Sequence, residues 1–123
     1  PKSDNHYWNF EFSCIGTINA SHRSERNNPT RLNDNELAQV IRYPSCGTRP
    51  FQELEGLFTW NLLIAVPMSL IGIEYNNSPI ETMGNFYKCA SGSSQPHYLS
   101  WNPINTEKPD FHRPDFFGKI IFA

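Results

Sequence analysis

Bulky and polar residues alternate with period two from Tyr7 to Ile15. Trp8, Phe10, Phe12 and Cys14 fall on one face, and Asn9, Glu11 and Ser13 on the other. That pattern predicts a β-strand with one buried face. Gly16 permits a bend or bulge, after which Thr17 to Ala20 can continue the strand. Ser21 to Thr30 is polar and reads as a loop. Asn33 followed by Glu36 has the spacing of a capping box, so Asp34 to Ile41 reads as a short helix. Val40, Ile41 and Tyr43 fit the start of a strand equally well. Pro44 to Pro50 is a turn-rich connector. Leu57 to Val66 carries the strongest strand pattern in the chain, with Phe58, Trp60, Leu62 and Ile64 on one face, and Pro67 stops it. Met68 to Ile73 is either a helical turn or an edge strand, and Asn76 to Pro79 is a loop. Met83 to Ala90 reads as a strand, Ser91 to Pro96 as a hairpin turn, and Tyr98 to Trp101 and Lys119 to Phe122 as two further strands.

Strands joined by irregular loops, with at most one short helix, predict an all-β fold, an antiparallel β-sandwich. The pattern gives about five strands, few for two closed sheets. Residues 1–6 are polar and read as an arm. At 123 residues the chain is long enough for one domain, taken as 1–123, with a core of its own.

Composition narrows the function classes. The chain is 38% hydrophobic and 14% aromatic, with a formal net charge of −2. This balance makes no electrostatic case for nucleic acid or an anionic membrane. The longest apolar run, Leu62 to Val66, is far short of the roughly 20 residues of a membrane-spanning helix. Cys14, Cys46 and Cys89 are widely spaced and form no CxxC pair, so they read as buried thiols used as small apolar residues.

Candidate chemistry gathers near the C-terminus. Pro103, Pro109 and Pro114 punctuate a loop between two strands, and that loop holds Trp101, Asn102, Asp110, Phe111, His112 and Arg113. Proline restricts this crossing, and loops held by strands are where binding residues collect. His6, His22, His97 and His112 have no metal-binding spacing. No nucleophile motif or glycine-rich phosphate cradle is present. Glu11 and Asp110 are conceivable as the two carboxylates of a glycoside hydrolase, against the plainer alternative that both are solvated or paired. Sugar recognition fits the residues better, because aromatic faces cover the C–H face of a pyranose while Asp, Arg, Lys and Asn reach its hydroxyls. The competing reading has Phe111 capping the core and Arg113 paired with Asp110 or Asp115. Trp8 and Trp60 read as core, and Trp101 as core or binding residue.

The order "GLFTWNLLIAVP", "MGNFYKC", "PHYLSWNPI" and "PDFHRPDFFGKIIF", preceded by "YWNFEFSCIGT", resembles carbohydrate-binding module family 9-like domains of the Bacteroides type. The resemblance implies a β-sandwich that holds sugar ends between two aromatic side chains, without catalysis. It implies Phe111 as one stacking aromatic, where other members carry tryptophan, with Lys88, Glu11, His112 and Arg113 as polar contacts and Trp101 and Asn102 beside them. The second aromatic, an acidic ligand and calcium positions come from strands that precede the matched segment. The resemblance therefore implies a C-terminal portion lacking the family's N-terminal strands, with calcium as the candidate cofactor. An oligo- or polysaccharide is the expected partner, and a homodimer or pairing with the N-terminal portion would cover the open edges. The expected setting is secreted, periplasmic or cell-surface. A hydrolase fragment using Glu11 and Asp110, or a structural domain without ligand, are the alternatives.

Overall fold

The structure, a computed structural model, describes residues 5–24 and 27–123. Most of the polar arm read at residues 1–6, and part of the loop read at 21–30, lie outside the described residues. Regular structure is almost entirely strand, and every pairing among the described residues is antiparallel, as in a small β-sandwich domain. The chain divides into two compact units, Pro1–Glu74 and Tyr75–Ala123.

In the first unit β1 (Tyr7–Phe12), β2 (Ile18–Arg23) and β3 (Pro29–Arg31) form one sheet in that order. The alternation that suggested a strand up to Ile15 is cut at Phe12 by a tight turn, in which Ser13 and Thr17 bond through their backbones at 3.0 Å. Gly16 makes this turn with φ +84°, and a side chain there would meet the ring of Pro44. Arg42 donates to the Gly16 carbonyl at 2.7 Å, which fixes the turn against the next sheet. The segment read as loop from Ser21 onward instead carries the end of β2 and all of β3. Backbone pairing there needs no apolar side chains, so composition hid it.

The capping box is present. Glu36 N–H donates to Asn33 Oδ1 at 3.0 Å, and the Glu36 carboxylate accepts from Asn33 N–H at 2.8 Å. The helix α1 (Asp34–Leu37) is a single turn and does not reach Ile41, because β4 (Ile41–Pro44) begins there. Leu32 and Val40, on either side of that turn, are buried with Tyr7 and Ala20. These form the small core of this unit.

β4 pairs with β5 (Leu62–Ala65). The strand expected over Leu57 to Val66 is therefore less than half its predicted length. Its partner explains why: β4 ends at Pro44, which has no N–H to donate, and turns away at Gly47 with φ +73°. Only a Ser45–Asn61 contact extends the pairing, through Ser45 N–H to Asn61 O and Asn61 N–H to Ser45 Oγ, both 2.8 Å. Upstream of it Leu57, Phe58 and Trp60 are exposed, Trp60 at 41%, so Trp60 is no core residue here. Trp8 is half-buried and lies against the His22 ring, with centroids 4.6 Å apart and planes tilted by 31°. A 3-10 turn at Met68–Ile71 closes the unit, choosing between the two readings of that segment. All three cysteines are free. Cys46 and Cys89 are exposed and Cys14 is half-buried, which corrects the expectation of buried thiols.

In the second unit β6 (Ile80–Gly84) pairs with β9 (Gly118–Phe122), and β7 (Tyr87–Cys89) with β8 (Tyr98–Ser100). The single strand expected from Met83 to Ala90 is two strands, broken at Asn85 where the chain changes partner. The Asn85 Oδ1 accepts from Asn102 N–H at 2.8 Å and its amide donates to Asn102 O at 3.0 Å. The Asn102 amide in turn donates to Phe116 O at 2.8 Å. Beside this bridge Gly84 faces Gly118 across the ladder. The indole of Trp101 lies where a Gly118 side chain would be, 2.8 Å from an ideal Cβ.

Gly118→Val should therefore force Trp101 out of its seat and cost roughly 1–3 kcal/mol, as overpacking does. Chemical denaturation checks this against Gly92→Ala, where nothing lies within 4 Å of an added Cβ. Equal midpoints for the two variants would show that Trp101 is not held against Gly118.

Candidate functional site

The proline-bounded loop is ordered by its own polar groups. Thr106 Oγ1 donates to Lys108 O at 2.7 Å, and the Asp110 carboxylate accepts from His112 N–H at 3.0 Å. Such short-range bonds hold irregular backbone where no ladder can. They deliver Phe111 onto the β7–β8 hairpin. The register pairs Tyr87 with Ser100 and Cys89 with Tyr98, so Tyr87 and Tyr98 share one face. Phe111 lands on that face, stacked on Tyr87 (centroids 4.3 Å, planes 13° apart) and edge-on to Tyr98 at 6.1 Å. The ring expected to stack on sugar is thus half-buried, with one face taken by Tyr87.

Beside it opens a shallow pocket of about 210 Å³. Phe111 and Tyr98 wall it, and Thr106, Glu107, Lys108 and Asp110 bring polar groups to it. Tyr98 is 43% exposed and offers the larger free aromatic surface. The sequence reading missed Tyr98, Thr106, Glu107 and Lys108. The signal available was the polar run Thr106–Glu107–Lys108 between two prolines.

The other residues singled out from sequence are dispersed. Arg113 forms a two-point ion pair with Asp115, at 3.0 and 2.7 Å, and lies 5.0 Å from the centroid of the Phe116 ring. His112 is half-buried beside Asp110. Asn102 is committed to Asn85 and Phe116. Trp101 and Lys88 belong to the hairpin face opposite Phe111, by the alternation of the strands. Glu11 lies in the first unit, where its carboxylate accepts from the amides of Asn9 at 3.1 Å and Asn19 at 3.3 Å. Among the described residues no three His, Cys, Asp or Glu side chains converge as a metal site requires.

The hydrogen bond from Arg113 holds the Asp115 carboxyl below its ordinary value, with burial opposing it; the same bond raises Arg113. A carboxyl lowered on folding stabilises fully above its unfolded pKa of about 3.9. That contribution disappears as pH falls through the folded value. Carboxyl NMR should place the Asp115 midpoint below that of an unstructured aspartate, and Arg113→Ala should raise it. An unshifted midpoint in the intact chain would mean the pair does not persist in solution.

No curated protein matches the sequence. The chain superimposes over its full length on a crystal structure from Bacteroides uniformis ATCC 8492, with a TM-score of 0.90 and 34% identity. That protein's name gives it a provisional carbohydrate-binding role, and the present chain spans 57% of its length. In the described residues no helix is long and apolar enough to cross a membrane. The family model for carbohydrate-binding family 9 matches residues 1–122. By that match over nearly its whole length, the chain belongs to carbohydrate-binding family 9.

Proposed function

We propose that the chain binds carbohydrate without turning it over, and that sugar rests in the pocket between Phe111 and Tyr98. The family match over residues 1–122 carries the ligand class. The pocket's chemistry supports the location. Tyr98 and the accessible part of Phe111 can cover the C–H face of a pyranose, while Glu107 accepts from hydroxyls and Lys108 donates to them. Tyr87 behind Phe111 fixes the ring before the ligand arrives, which reduces the entropy lost on binding. A shallow site with a few exposed contacts suits weak recognition of a polymer, strengthened by repetition along it. A polymeric ligand of this kind also favours a secreted, periplasmic or cell-surface setting.

Tyr98→Ala should lower affinity for the bound saccharide at least tenfold in isothermal titration, and Glu107→Ala several-fold. Phe111→Ala should lower affinity and also destabilise the hairpin, because it removes the Tyr87 stack. Unchanged affinity in both Tyr98→Ala and Glu107→Ala would move the sugar away from this pocket.

Self-association is the second part of this reading. Ile41, Tyr43 and Leu63 lie exposed on one face of β4–β5, and Phe51, Leu54, Leu57 and Phe58 are exposed in the connection before β5. Exposed apolar side chains in this number favour pairing between copies. Sedimentation should show concentration-dependent association that Leu57→Ser combined with Phe58→Ser weakens. A monomer at all concentrations would remove it.

A further inference from the structure

The β7–β8 hairpin has a second face. Two backbone bonds extend its ladder beyond the strands, Trp101 N–H to Phe86 O at 2.8 Å and Ala90 N–H to His97 O at 2.9 Å. Continued in both directions, the register sets Phe86 opposite Trp101, Lys88 opposite Leu99 and Ala90 opposite His97. These three pairs alternate with Tyr87, Cys89, Tyr98 and Ser100, so they share the face away from Phe111. Phe86 is 63% exposed, Leu99 60% and Trp101 55%.

We infer that this face is a second carbohydrate contact, on which a saccharide chain lies along the strip from Phe86 and Trp101 toward Lys88 and His97. The inference rests on the carbohydrate-binding reading and adds a site to it. Phe86 and Trp101 meet edge to face, with centroids 5.8 Å apart and planes at 67°. They form an open corner that presents aromatic surface in two directions. The corner is rigid: Trp101 is seated against Gly118, and Asn85 and Asn102 clamp the backbone next to both rings. An exposed indole locked in this way is preorganised for a stacking ligand. Lys88 stands one pair along, exposed, with no hydrogen-bond or ion-pair partner among the described residues. Its ammonium offers three donors to ring hydroxyls or a carboxylate.

The strip measures about 13 Å from Phe86 to Ala90 at the rise of a strand. That length suits more than one sugar ring. A polypeptide partner fits less well, since lysine is depleted at the centres of protein interfaces and Lys88 stands in the middle of this strip.

The test uses the intact chain with neutral tetrasaccharides of glucose, xylose, mannose and galactose as probes. The indole N–H resonance of Trp101, identified by its loss in Trp101→Phe, should shift on titration with at least one of them. Phe86→Ala combined with Lys88→Ala should weaken that binding at least tenfold. Neither side chain holds the core, so a folded variant is expected, and its dispersed NMR spectrum checks that. Binding that leaves the Trp101 indole and the double variant unchanged, yet responds to Tyr98→Ala, overturns the strip and leaves the Phe111 pocket standing. A double variant that alters sedimentation but not affinity assigns the face to a second copy and also overturns it. Failure of all four probes to bind overturns both sites.

Discussion

Two asparagine side chains hold the second unit together. Asn85 completes the backbone hydrogen bonds of Asn102, and Asn102 reaches on to the carbonyl of Phe116. Each is an amide in place of a ladder bond, at the point where the chain leaves one two-stranded ladder for the other. Polar backbone that loses its strand partner must find another acceptor or donor, and the asparagine amide carries both. The glycines Gly84 and Gly118 face each other across β6–β9 beside this bridge; the Trp101 indole fills the space at Gly118, and the Ile120 side chain fills the space at Gly84. Bonding and packing thus fix the hairpin at one place, and everything the hairpin presents inherits its position from there.

Much of this architecture was legible where it is local. The Asn33–Glu36 pair announces its cap because both partners lie within one turn. Likewise, the turn at Ser91–Pro96 sits between strands that do pair. What was not legible depends on a distant partner. Nothing within Leu57 to Asn61 says that the pairing stops, since the limit is set by Pro44 and Gly47 on the opposite strand. Met83 to Ala90 likewise reads as one strand across a break at Asn85, where the chain changes partner and Asn85 bonds to Asn102. The end of β2 and the strand β3 were hidden for the opposite reason, because backbone pairing can proceed where side chains are mostly polar.

The candidate site divides in the same way. Phe111 was visible as an aromatic in a proline-bounded loop, and it does line the pocket. Its partner Tyr87 was not visible, because the stack joins residues far apart in sequence. Arg113 was foreseen either as a ligand contact or as a partner of Asp110 or Asp115, and it forms the ion pair with Asp115. Lys88 was placed at the site by the family resemblance, and Trp101 was read as core or binding residue. Strand alternation places them back to back with Phe111, and a one-dimensional reading of the motif could not separate those two sides.

The short turn at the tip of that hairpin carries a consequence of its own. Ser93 closes it, with its backbone N–H and its hydroxyl both donating to Ala90 O, and His97 Nδ1 lies 2.9 Å from Gln95 O. Because side chains alternate residue by residue, a slip of one position in either strand would exchange its two faces completely. Tyr98 would then leave Phe111, and Leu99 would take its place. The six-residue connection Ser91–Pro96 thus acts as the index mark of the hairpin, and its length, more than its composition, decides which face meets Phe111.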